Sequence, residues 1–305
     1  MRRIRRYIRN AADPTASFVL KHETLKVQNQ MSDTGKTIDI LCILFCALLM
    51  LAAPIASARA PDTVFVEELT WTELQDQIHA GKTIIIVPIG GTEQNGPAMA
   101  LGKHNVRVRV MAEKIAKTLG DALVAPVMAY VPEGGVNPPT AHMRLPGTIT
   151  IPSEAFEKTL EYAARSFKLH GYRDIVFIGD HGGYQSSLAA VAQRLNREWR
   201  ATPVRAHAID AYYHAATVSY PAWLKQHGYR EDEIGTHAGL ADTSLMLAVD
   251  ARLVRTDRLS SGADLDAEHG VYGDPRRASA KLGEPGTNLI VSQTVAAIRQ
   301  AIARR

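Results

Sequence analysis

The chain has 305 residues, 46% hydrophobic and 22% charged, with 35 Lys and Arg against 31 Asp and Glu. That length admits one large α/β domain or two small ones. The surplus positive charge sits at the front: residues 1–60 hold nine basic and four acidic side chains, leaving 26 against 27 in the rest. The body therefore has no basic stripe of the kind that binds nucleic acid.

Both cysteines, Cys42 and Cys46, fall in the apolar run of residues 40–53. The run is shorter than the roughly 20 residues a membrane span needs. Ala56-Ser57-Ala58-Arg59-Ala60 follows it with small residues at cleavage spacing. Together they predict a secretory signal peptide cut near Ala58 or Ala60, a secreted or periplasmic product, and membrane contact through that segment alone. An uncleaved anchor is the plain alternative, and Met31 an alternative start. The mature chain would lack cysteine, which excludes disulfides, thiolate catalysis and Cys-ligated zinc. The expected organisation is an N-terminal extension and signal peptide over 1–60 and a single domain over 61–305.

Thr70-Trp71-Thr72-Glu73 has capping-box spacing and predicts a short helix to His79, with Leu74 and Ile78 inward and Gly81 ending it. Residues 84–87, all Ile or Val, read as a buried parallel strand bounded by Pro88, Gly90 and Gly91. The strand's exit places Glu93 and His104 on a loop at the C-terminal sheet edge, where open α/β sheets hold ligands. AGKT at 80–83 lacks the first glycine of a phosphate loop, since position 76 is Asp76.

Val108, Met111, Ile115 and Leu119 predict a helix stopped by Gly120. Residues 122–131 read as a second buried strand, and the Gly- and Pro-rich stretch after it as a long functional loop carrying His142 and Arg144. Ser153 is the expected cap of a helix that buries Phe156, Leu160, Ala164 and Phe167. Residues 174–178 form the clearest strand and run directly into Gly179-Asp180-His181. A helix with Leu188, Val191, Leu195 and Trp199 on one face follows, then a strand over 203–209. His237 and Asp242 precede an apolar helix at 245–249, and a last helix turns Val291, Val295, Ile298 and Ile302 inward. This alternation predicts an α/β fold of three layers around a mostly parallel sheet.

Glu93, His104, His181 and Asp242 are two carboxylates and two imidazoles expected at one sheet edge, a donor mixture that zinc accepts. His237 beside them suits general acid–base work. Each has a plainer role available: a satisfied histidine, a loop cap at Glu93, a first-turn charge at Asp242, a loop hydrogen bond at His142. The sequence has no G-x-S-x-G elbow for a serine nucleophile.

PIGGTEQNGPAMALGKHN resembles the signature of the creatininase (creatinine amidohydrolase) family, P-x-G-S-x-E-Q-H-G-P-H-L-P-L-x-x-D. AHMRLPGTITI, GDHGGYQ, HAGLADTSLML and VYGDPRRASAKLG resemble further family segments in the same order, over about residues 64–290. The resemblance implies a creatininase-like α/β/α fold, homo-oligomers with hexamers among them, and a divalent-metal site, often of two metals, that hydrolyses amides. It puts Glu93 and His181 at ligand positions, His237 at the catalytic histidine, and Asp242 in place of a glutamate. Asn95 stands where the family has its second-metal histidine, His104 where it has a bridging aspartate, and Gly183 where creatininase has a glutamate. These departures argue against a second ion. The expectation is one ion, zinc or manganese, held by Glu93, His104, His181 and Asp242, with His142, Arg144 and Asn95 bordering a small non-peptide amide substrate, cyclic in one reading. A degenerate periplasmic small-molecule-binding protein on the same fold is the alternative.

Overall fold

The computed structural model describes residues 61–304; the expected signal segment lies outside the described residues. Helix α1 (Trp71–His79) begins with the expected capping box, in which the Thr70 hydroxyl accepts from the Glu73 amide and the Glu73 carboxylate accepts from the Thr70 amide. Strand β1 (Ile84–Ile89) is buried along its whole length. Helix α2 (Lys103–Leu119) and strand β2 (Ala122–Val124) follow. Next come α3 (Ser153–Leu169), β3 (Asp174–Gly179), α4 (Gln185–Glu198) and β4 (Arg205–Ala208).

The strands pair in parallel in the order β2-β1-β3-β4, with Ile84 beside Ala122 on one flank and Asp174 on the other. Alternate residues of β1 face opposite layers. Ile84 and Ile86 pack with Met111 and Ile115 of α2 and with Ile290 and Ile298. Ile85, Val87 and Ile89 pack with Phe156 and Leu160 of α3 and with Leu188, Val191 and Leu195 of α4. Helices on both faces of a parallel sheet give the expected three layers.

Several boundaries differ from the sequence expectation. Strand β2 covers three residues rather than ten, because Pro126 cannot donate to a ladder; single bridges at Met128 and Val131 continue the path. Pro152 occupies the cap of α3, and Ser153 is its first helical residue. Helix α2 starts at Lys103, so His104 sits in a first turn rather than on a loop.

After β4, α5 (Ala211–His214) passes through a π turn into α6 (Tyr220–Gln226). Short α7 (Glu231–Ile234) precedes α8 (Leu240–Asp250), which starts five residues earlier than expected, then α9 (Thr256–Ser261) and α10 (Ala280–Ala303). Helices α8 and α10 pack closely, because Gly283 lets the backbone of one meet that of the other at Ser244. The chain leaves β1 for β2 on one side and returns to β3 on the other. That reversal opens a crevice beyond the C-terminal ends of β1 and β3.

Candidate metal centre

Glu93 lies four residues past β1, and His181 two residues past β3, so both reach this crevice. It is a cleft of about 830 Å³ lined by Glu93, Lys103, His142, Arg144, His181 and His237, among others. Glu93 is fully buried, and its two oxygens face different neighbours. Oε1 accepts from His104 Nε2 at 2.6 Å and lies 3.4 Å from Lys103 Nζ and 3.5 Å from His237 Nδ1. Oε2 lies 3.3 Å from His181 Nε2 and 3.5 Å from His142 Nε2, yet no hydrogen bond reaches it.

The carboxylate that completes this corner is Glu133, on the Gly-rich loop after Val131. It is 5% exposed, its Oε2 stands 3.4 Å from His181 Nε2, and neither of its oxygens receives a hydrogen bond. Gly91 makes room for it: at φ +147° that residue is in glycine territory, and a Cβ there would come 2.5 Å from Glu133 Oε1. Burial, and then the Glu93 charge, push the Glu133 carboxyl up to about 9. Glu93 itself is driven upward by burial, but the His104 and Lys103 charges hold it well below the usual carboxylate range.

Buried polar atoms without partners are costly. Two such oxygens, Glu93 Oε2 and Glu133 Oε2, stand 3.3 and 3.4 Å from His181 Nε2, and the ligand atoms of Glu93, Glu133 and His181 lie within 4.8 Å of one another. Two carboxylates and an imidazole fit a divalent ion such as zinc with a coordination position left open. The Gly183 amide donates to His181 Nδ1 at 3.2 Å, so ligation through Nε2 requires the proton to shift to Nδ1. Glu93, His142 and His237 form a second group of the same span. The nitrogens that face Glu93 in it are His142 Nε2 and His237 Nδ1, and Lys103 Nζ brings a positive charge 3.5 Å from the latter, while Gln94 holds the opposite ring nitrogens. Gln94 Nε2 donates to His142 Nδ1 at 2.7 Å, and His237 Nε2 donates to the Gln94 carbonyl at 2.9 Å.

The four residues expected to share an ion are not gathered around one point. His104 donates from Nδ1 to Asp180 Oδ2 and from Nε2 to Glu93 Oε1, both at 2.6 Å, so both ring nitrogens carry protons in this arrangement. Burial and Lys103 oppose that charge, but Glu93 and Asp180 outweigh them and raise the imidazole above its usual value. Asp242 accepts from Lys103, from Arg107 and from the Ala238 amide. Against its burial, the Lys103 and Arg107 charges hold it well below the carboxylate range. Asp180 accepts from Arg107, from His104 and from Tyr212 at 2.6 Å. A turn of α2 thus sets Lys103, His104 and Arg107 against Glu93, Asp180 and Asp242.

His142 and Arg144 stand on the cleft wall, on a 3₁₀ turn at Ala141–Arg144. Asn95 does not line it: its amide donates to the carbonyls of Glu93 and Ala100 at 2.9 Å and so shapes the loop. His237 packs against His142 with ring centroids 4.3 Å apart. Burial, and then Lys103, push its imidazole down to about 3, so it is neutral.

Sequence reasoning passed over Glu133, Lys103, Arg107 and Asp180. Glu133 had one available signal, an acidic residue directly after the apolar stretch 122–131. Lys103 and Arg107 had another, basic residues one turn apart on the helix face that carries Met111.

The family model for creatininase, described as creatinine amidohydrolase, matches residues 67–298. The chain belongs to the creatininase family. A mycofactocin precursor peptide peptidase of Mycolicibacterium smegmatis is 30% identical over 70% of this chain and 83% of its own length. A creatinine amidohydrolase of Pseudomonas putida is also 30% identical, over 65% of this chain and 76% of its own. Among solved structures, a variant creatininase of Zn-Zn type superposes with a TM-score of 0.66 at 25% identity, covering 79% of this chain and 99% of that one. The protein is thus a creatininase-family amidohydrolase with groups able to hold a metal ion.

Proposed function

We propose that this creatininase-family hydrolase is exported and cleaves the C–N bond of an amide with a single divalent ion, zinc or manganese, held by Glu93, Glu133 and His181. The observation that carries the reading is the convergence of two hydrogen-bond-free carboxylate oxygens, Glu93 Oε2 and Glu133 Oε2, on His181 Nε2. An ion of this kind polarises a carbonyl and lowers the pKa of water to about 7.

The chain's own residues supply the rest. His237 donates from Nε2 to the Gln94 carbonyl, which leaves the Nδ1 lone pair as its basic atom. A proton taken up at Nδ1 gains a stabilising partner in Glu93 Oε1, 3.5 Å away, before passing to the leaving nitrogen. Gln94 fixes the His142 ring by donating to its Nδ1, which keeps Nε2–H directed toward Glu93 Oε2 on the substrate side. Arg144 on the same wall presents a planar fork suited to a substrate carboxylate.

The cleft's size favours a second reading of the substrate. About 830 Å³ is in the upper part of the 300–1,000 Å³ range of drug-sized ligand pockets. A peptide segment fits that space as well as a small ring, and a peptide is the substrate named for the Mycolicibacterium relative. Export is supported by the apolar core and small-residue cleavage pattern of residues 40–60.

Purified protein should hydrolyse members of a panel of cyclic amides, linear amides and short peptides. A chelator should abolish the turnover and added zinc or manganese restore it. Chelator-insensitive cleavage would overturn the metal reading. Ligand binding with no turnover of any amide would mark a degenerate binding protein instead.

A further inference from the structure

We propose that the Lys103 ammonium is a built-in second cation, which leaves this active site room for only one divalent ion. The inference rests on the single-ion reading above. Lys103 is 1% exposed. Its Nζ binds Asp242, lies 3.4 Å from Glu93 Oε1 and stands 3.5 Å from His237 Nδ1. Two carboxylates and an imidazole nitrogen around one point are a donor set for a divalent ion, and here a lysine head group occupies the centre of it.

Glu93 is the hinge of the arrangement. Its Oε1 belongs to Lys103 and His104, and its Oε2 faces His181 and His142, so one carboxylate links a fixed organic cation to the proposed ion position. The surroundings reinforce the Lys103 charge, which is the deciding one because its head group occupies the position itself. His104 and Arg107 add positive charge within one turn, and Lys103 opens α2, whose N-terminal end carries a partial positive charge. The ammonium also needs no loading, so its charge is present whatever the metal supply.

The test uses the full chain, stripped with chelator and titrated with Zn²⁺ alone, by calorimetry and by elemental analysis after desalting. Wild type should take one ion per chain. Lys103→Met keeps the stem and removes the charge from between Asp242, Glu93 Oε1 and His237 Nδ1, and should take two. Lys103→Arg keeps the charge and should return the count to one. Two ions in wild type would overturn the assignment of Lys103 while leaving the hydrolase reading intact. One ion in a folded Lys103→Met, checked by circular dichroism, would do the same. No ion in wild type would sink the single-ion reading itself. Should Lys103→Met fail to fold, Lys103→Gln, which also removes the charge but keeps a polar head group, takes its place with the same expected count of two and the same refuting count of one.

Discussion

Metal binding should tighten steeply with pH, and Glu133 should be the reason. In the metal-free protein its carboxyl is raised to about 9 by burial and by Glu93, so near neutrality it carries a proton that an incoming cation must displace. Below that value the ionised fraction changes about tenfold per pH unit, worth about 1.4 kcal/mol each. Between pH 6 and pH 8 the apparent Kd for Mn²⁺ should therefore fall roughly 100-fold, about 2.7 kcal/mol. Calorimetry in buffers of different ionisation enthalpy counts the protons released, and wild type should release one more than Glu133→Gln. The same shift has a cost in the metal-free fold. A carboxyl raised above its ordinary 4.5 contributes stability that is complete below pH 4.5 and lost as pH rises toward 9. The metal-free melting temperature should thus fall over that window, and Glu133→Gln should flatten the fall. An affinity that is level from pH 6 to 8, or equal proton release in the two proteins, would refute the reasoning.

Other substitutions separate the roles of neighbouring groups. His237→Ala should leave metal content at the wild-type level while cutting kcat about 10²- to 10⁴-fold; loss of metal along with activity would show that His237 is a ligand. Arg107→Met removes the partner shared by Asp180 and Asp242 inside the fold. Breaking a buried pair costs about 3–5 kcal/mol, which at about 2–4 °C per kcal/mol predicts a melting temperature lower by roughly 6–20 °C in calorimetry. Gly283→Ala would place a Cβ 1.9 Å from the Ser244 carbonyl oxygen. It should force α8 and α10 apart at a cost of about 1–3 kcal/mol, read by denaturant unfolding. Arg144→Ala should raise KM for substrates bearing a carboxylate and leave it nearly unchanged for neutral ones.

The sheet was legible because its central strands are short apolar runs closed by Pro and Gly, as at Ile84–Ile89 and Asp174–Gly179. The expected length of β2 failed at Pro126, since an apolar run continues past a proline while a hydrogen-bond ladder does not. At the site, Glu93 and His181 stood out because each directly follows a strand. Glu133 did not, since it comes from an irregular stretch whose path depends on isolated bridges at Val131 and Thr150. Lys103 and Arg107 were hidden for another reason. Basic side chains at the start of a helix read as solvent-facing, and only the tertiary approach of Asp180 and Asp242 shows why they are buried. His104 carried the resemblance to a ligand position, yet its two carboxylate neighbours make it a proton-bearing link.

The central claim is that Glu93, Glu133 and His181 hold one ion. Anomalous scattering recorded at the zinc edge from crystals of the zinc-loaded protein tests it most directly. The account predicts a single peak per chain, about 2.0–2.2 Å from Glu93 Oε2, a Glu133 oxygen and His181 Nε2, with Lys103 Nζ still beside Glu93 Oε1. A peak between His142 and His237, or two peaks, or none, would contradict it.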